Sequence, residues 1–211
     1  MRKGILSVLI GLLVVSAGCS SLLTGETLTF ESSPAAVGDG ALEETGYEET
    51  VANESTIERT VTVAGQERTV RITNHIRQYQ RGMELGPVGE VTAGQFMVLS
   101  TPSASVAGQS LNPAASWSNQ RLVREVASRS RGVSDVQFER NRTVQTLGDS
   151  REVSVFSGTT TIEGQEVDVL VHLASFEHEG DVVIAVAVYP EEVDEEGRVD
   201  TLLSGLTHSG N

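Results

Sequence analysis

The chain has a single thiol, Cys19, which follows an apolar run at residues 5–15 and the small residues Ser16, Ala17 and Gly18. The chemistry open to a cysteine in that place is thioether formation, because the thiolate is the nucleophilic form that takes up a diacylglycerol-like lipid. Arg2 and Lys3 supply the positive start of an export signal, and residues 16–18 suit a peptidase cleft. Ser16-Ala17-Gly18-Cys19 therefore reads as a lipobox, with serine where leucine is usual, and predicts cleavage before Cys19 and lipidation of its sulfur. The apolar run is shorter than the roughly 18–20 residues that cross a bilayer, so an uncleaved anchor is not expected. Residues 1–18 read as signal peptide, 19–26 as lipidated cysteine and short tether, and 27–208 as one domain.

With that thiol committed to lipid, none remains for a disulfide, a soft-metal site or a nucleophile. The histidines are His75, His172, His178 and His208, and none has the His-Glu-x-x-His spacing that sets two ligands on one helical face. His178 lies in FEHEGD beside Glu177, Glu179 and Asp181, where a hard cation is conceivable; a solvated acidic turn explains the same residues, and no metal site is assigned. YPEEVDEEGRVD lacks the ligand pattern of an EF-hand, and acids in a helix's first turn have a sufficient dipole explanation. No Gly-x-Ser-x-Gly elbow, P-loop or dinucleotide fingerprint occurs. A Ser/His/Asp set could assemble in space, but the residue order selects none. No catalytic residue and no cofactor is assigned.

The arginines are the other chemically expressive group. Arg121, Arg124, Arg129, Arg131, Arg140 and Arg142 bring six of the 13 arginines beyond the signal into one interval. Guanidinium forks suit carboxylates and phosphates, which makes the cluster a candidate docking patch for an envelope protein or another anionic partner. Pairing with the chain's own acids along helix and strand is the competing account. Asn53 in NES and Asn141 in NRT are candidate glycosylation sites on an exported chain.

These residues sit in a strongly acidic background. The chain carries 15 basic and 29 acidic residues, net −14. Loss of Arg2 and Lys3 leaves 13 arginines against 29 acids, −16, and no lysine. Such a surface repels itself in dilute buffer, whereas at about 1 M salt the screening length is only about 3 Å. Acid excess, missing lysine and few aromatics predict a protein of an extreme halophile. The same charge excludes nucleic acid as a partner.

The positioning elements follow from periodicity. LTF at 28–30 predicts an opening strand, and DGALEETGY a short helix with Asp39 as N-cap and Gly46 as its stop. Residues 56–81 alternate as two strands joined at residues 64–67, with Val70, Ile72 and Ile76 toward a core and Arg71, Thr73, His75, Arg77, Tyr79 and Arg81 toward water. GQFMVLSTP predicts a strand, and WSNQRLVREVASRSRG a helix capped by Ser118 with Leu122, Val123, Val126 and Ala127 buried. VQFERNRTVQTL, REVSVFSGTTTI and QEVDVLVHLASFE predict three more strands, turning at residues 148–150 and 163–166. GDVVIAVAVYP predicts a strand covered on both faces. Pro190 fits the first turn of a last helix whose apolar side is Val199, Leu202, Leu203 and Leu206. TVTVAGQERTVRI (60–72) aligns with TTTIEGQEVDVLV (159–171) at an offset of 99, which either duplication or shared hairpin chemistry explains. The fold class expected is α+β: a large, mostly antiparallel twisted sheet packed by two main helices, with a possible internal hairpin repeat.

LTFESSPAAVGDGALEETGYEE, STPSASVAGQSLNP, HEGDVVIAVAVYPEE and LLSGLTH together resemble a family of uncharacterised, acidic, signal-bearing lipoproteins of halophilic archaea. The resemblance runs over nearly the whole chain and implies membrane-anchored display outside the cell. It implies no activity, cofactor or catalytic residue. The order of strands and helices is also similar, as fold analogy, to the PsbP/Mog1-like sandwich. The expectation is a lipid-anchored protein on the outer face of the cytoplasmic membrane with a binding or structural role at the envelope. The alternatives are a small extracytoplasmic hydrolase, and a solute-binding or accessory lipoprotein of a membrane complex.

Overall fold

The computed structural model describes residues 27–63, 65–84, 90–106, 108–129, 132–162 and 164–210. Cys19 and the segments expected to be signal (1–18) and tether (20–26) lie outside the described residues, as does Arg131. The strands are β1 (Leu28–Glu31), β2 (Ala35–Val37), β3 (Glu48–Val63), β4 (Gln66–Glu84), β5 (Glu90–Pro102), β6 (Ser105–Val106), β7 (Gln109–Ser110), β8 (Ser134–Thr146), β9 (Asp149–Ile162), β10 (Gln165–His178), β11 (Asp181–Pro190) and β12 (Leu206–His208). Among the described residues, three α-helices interrupt them: α1 (Asp39–Thr45), α2 (Asn119–Arg129) and α3 (Glu196–Ser204), with one short 3-10 turn at Pro113–Ser116. The molecule is mostly β.

One sheet holds eight strands. Its order runs β4-β5-β11-β10-β9-β8, with β3 on the outer side of β4 and β1 beside the early part of β4, in line with β5. All pairs in it are antiparallel except one: β1 runs parallel to β4, Leu28 opposite Val70 and Glu31 opposite Thr73. The sheet is therefore mixed: the expectation of a mostly antiparallel sheet holds in part, with β1 as the exception. The reason is that residues 32–34 lead β1 directly on to β2, and it is β3 that forms the hairpin with β4. Alternating directions put the β3–β4, β8–β9 and β10–β11 turns at one end, where β1 also enters, and the β9–β10 turn at the other.

Both faces of the sheet are covered, as the continuous apolar run of β11 requires. Val183, Ala185, Ala187 and Tyr189 pack with Val199, Leu202 and Leu203 of α3 and with Ala35 and Val37 of β2. Val182, Ile184 and Val186 pack on the opposite face with Leu122 and Val123 of α2. The two-helix expectation thus becomes α1 and α3 on one face and α2 on the other. Tyr79, assigned to the wet face of β4, is 1% exposed because that face lies under this first layer, where its hydroxyl accepts the Val37 N–H at 3.0 Å.

Local details also shift. Gly38, not Asp39, precedes α1 as its N-cap, while Gly46 ends it in the left-handed region at φ 71°. Ser118 Oγ accepts the Arg121 N–H at 3.3 Å, the cap expected for α2. Thr146 pairs with Asp149, so the β8–β9 turn is Leu147-Gly148 and not residues 148–150. Pro190 ends β11 opposite Val169, and α3 starts only at Glu196. Its missing N–H falls at a strand end, where no ladder bond is lost. The two similar hairpins turn alike, with Gly65 and Gly164 at φ 79° and 83°, but β3 is an edge strand and β9 an inner one.

Gly205 sets the spacing of α1 against the end of α3. A Cβ there would overlap the Ala41 Cβ. Gly205→Ala is expected to cost about 1–3 kcal/mol through overpacking. Thermal denaturation of Gly205→Ala, Ala41→Gly and the double variant checks this: the two changes must couple favourably, and additive losses would exclude the contact as the cause.

Candidate functional site

The structure divides the arginine cluster between the two sheet faces. Arg121 and Arg124 are exposed on α2, the first stacked over the Trp117 ring at 4.4 Å and the second donating to the Gln120 carbonyl at 2.9 Å. Arg140 and Arg142 project from β8 toward α3, where they pair with Glu196 and Asp200. Arg129 ends α2, and Arg131 lies outside the described residues. Arg121 and Arg124 do not share a patch with Arg140 and Arg142; for Arg140 and Arg142, pairing with the chain's own acids is the arrangement found. Asn53 and Asn141 are both exposed, on the outermost strands β3 and β8.

Arg142 also reaches inward. Its guanidinium donates to His172 Nδ1 at 2.9 Å, which leaves the ring hydrogen on Nε2, 2.8 Å from the Tyr189 hydroxyl. His172 is 1% exposed. Burial first, then the Arg142 and Arg140 charges, push its pKa down to about 3, so it is a neutral imidazole at ordinary pH. Burial and then the Glu196 charge push Tyr189 up to about 12. This chain of contacts holds β8, β10, β11 and α3 together without offering a mobile proton.

A second polar centre lies at the start of α3. Glu195 is fully buried and accepts from Tyr47 Oη at 3.1 Å, from Arg198 at 3.3 Å and from both Nε and Nη2 of Arg81. Burial, followed by the charge and hydrogen bond of Glu195, raises the Tyr47 pKa above the usual phenol range. Gly94 leaves the space in which the Tyr47 hydroxyl sits.

The hydrolase alternative requires a nucleophile and base in reach of each other and of substrate. Ser32 Oγ does lie 3.3 Å from His75 Nδ1, with Glu54 3.9 Å from the far ring nitrogen. The hydroxyl proton, however, faces the Ser100 carbonyl at 2.9 Å, and Ser32 is 1% exposed. Two surface grooves among the described residues, one between Arg59, Val61, Ile72 and Leu111 and the other between Glu44, Asp194, Arg198 and Thr201, include neither Ser32 nor His75. This pair ties β1 to β4 and β5.

The remaining constellation joins distant parts of the chain. His178 ends β10, Glu179 and Gly180 form the turn, and Asp181 begins β11. β12, paired with β2, delivers His208 to the same place. His178 Nδ1 and His208 Nδ1 are 3.0 Å apart, and their rings meet edge to face with centroids 5.2 Å apart. Asp181 Oδ2 lies 3.0 Å from His208 Nε2 and accepts the Ser33 N–H at 2.8 Å. Glu179 takes φ 48°, unusual for a residue with a side chain, and its carboxylate accepts the Gly210 N–H.

Residues 34–207 match the family described as domain of unknown function DUF6517. The chain belongs to that family. No curated protein matches the sequence. Among solved structures, the DUF6517 chain is similar to PA94, a protein of unknown function from Pseudomonas aeruginosa, at 11% identity and TM-score 0.35, over 73% of this chain and 99% of that one. It is also similar to PsbP (CyanoP) from Synechocystis sp. PCC 6803, at 13% identity and TM-score 0.35, over 85% and 94% of the two chains. Within the DUF6517 fold, sequence reading missed the Glu195 clamp, because Glu195 is one acid among several before α3. It missed the approach of His208 to His178 because the two residues are separated by all of β11 and α3. The shared face of His172 and Tyr189 is the one signal open to reading, since Tyr189 lies opposite Leu170, two residues before His172 on the same face of the adjacent strand.

Proposed function

We propose that this DUF6517 protein is a lipid-anchored module displayed on the outer face of the cytoplasmic membrane of a halophile, with a binding or structural role at the envelope. The observation that carries the reading is the signal-like residues 2–18 followed at once by Cys19, the chain's only thiol. Consistent with it, β1 begins at Leu28, so nine residue steps separate anchor and sheet, roughly 30 Å at full extension. The acid excess suits a surface bathed in concentrated salt, where screening removes self-repulsion. Arg121 and Arg124 are the exposed cations from which an anionic envelope partner would be sought.

Mass spectrometry of the protein recovered from native membranes is expected to show residues 1–18 absent and a lipid mass on Cys19. Cys19→Ser is expected to move the protein from the membrane fraction to the medium. An unmodified thiol on protein in the medium or the cytosol would overturn the proposal.

A further inference from the structure

The geometry points to a transition-metal site at the β10–β11 turn: His178, Glu179 and His208 bind one Zn²⁺ ion, with Asp181 as the group that orients His208. It rests on side-chain positions alone and is independent of the anchor. Among the described residues, these three offer one ligand atom each within 4.8 Å of one another. That is the donor set of two imidazoles and one carboxylate that zinc accepts while keeping a position for water.

The hydrogen bonds assign the roles. Asp181 Oδ2 receives a backbone N–H from Ser33 and sits opposite His208 Nε2, so the hydrogen of that ring is held on Nε2. The lone pair of His208 Nδ1 is thereby turned away from Asp181 and toward His178. A carboxylate behind a ligating imidazole is the usual device for fixing tautomer and ring orientation in metal sites. Two nitrogens bound to one tetrahedral zinc are about 3.3 Å apart, so the observed 3.0 Å needs only a slight opening of the rings. Without the ion, the same two atoms share a proton. Glu179 is placed over the pair by its left-handed backbone and by the Gly210 N–H, and it is the exposed member, which leaves the ion reachable from solvent. Imidazole ligands favour zinc and its neighbours over Ca²⁺ or Mg²⁺. The ion would join the last strand of the chain to the turn 30 residues earlier.

The test is calorimetric titration of Zn²⁺ alone into the chelator-stripped full chain in detergent at molar NaCl, which suppresses loose attraction to the acidic surface. One ion per chain is expected, with at least about tenfold weaker binding in His178→Gln, His208→Gln and Glu179→Gln. Asp181→Asn is expected to weaken binding by about 10–100-fold, the range for a group behind a ligand. Circular dichroism checks each fold; should His208→Gln unfold, His178→Gln and the exposed Glu179→Gln decide the matter. Co²⁺ in place of zinc is expected to give the intense visible bands of a four-coordinate site. Absence of binding, equal affinity for Ca²⁺, or affinity unchanged by the His178 or Glu179 variants would each overturn the assignment.

Discussion

Glu195→Ala is expected to destabilise the protein by about 3–5 kcal/mol, the range for breaking a buried ion pair by removing one partner. In a domain of this size that corresponds to a fall of roughly 6–20 °C in melting temperature. The change removes the one carboxylate that Arg81, Arg198 and Tyr47 share. The Arg81 side chain is only 16% exposed and would be left as an uncompensated charge beside an unsatisfied phenol. Arg198, nearly half exposed, can turn to water. The opposite outcome is expected when the set is removed together: Tyr47→Phe, Arg81→Met and Glu195→Leu in one chain should lie near the wild type, since an apolar replacement of a buried pair avoids the desolvation cost. Urea unfolding of the single and triple variants decides it. A single variant within about 1 kcal/mol of the wild type would show that the clamp contributes little.

Acidification from pH 7 to pH 5 is expected to remove about 2 kcal/mol of stability through His172 alone. Its pKa is about 3 in the folded protein against an ordinary value of 6.5. Between those values the unfolded chain binds a proton that the folded chain refuses. The contribution is whole above pH 6.5 and is lost progressively as pH falls toward 3. His172→Gln offers an amide to the same neighbours without a titrating ring, so its stability should fall less over the same interval by that amount. Carboxylates common to both proteins cancel in the comparison. Parallel urea midpoints for the two proteins at pH 7, 6 and 5 would mean that the ring accepts a proton in the folded state.

How much of this was legible follows from what a local pattern can hold. The two-sided burial of β11 is written in its own ten residues, nearly all apolar, and the cap of α2 in Ser118 and the turn after it. The wet assignment of Tyr79 and Arg81 failed because α3, more than a hundred residues later, covers that face and supplies Glu195. Leu147 carries no turn signal, because φ 49° is costly for a leucine; part of its side chain packs on the core, which compensates. The parallel β1 pair was hidden for a similar reason, since direction depends on where residues 32–37 lead and not on the alternation within β1 itself. The arginines illustrate the limit most plainly: proximity in sequence placed Arg124 and Arg142 together, and the sheet between them keeps them apart.

The direction of β1 gives the molecule a top and a bottom. The chain preceding Leu28 leaves from the end shared by the β3–β4, β8–β9 and β10–β11 turns, so an anchor on Cys19 would stand the sheet upright on that end. The zinc ligands would then look down toward the lipid headgroups, while the tip at Gly164 would be the outpost met first by anything arriving from the medium.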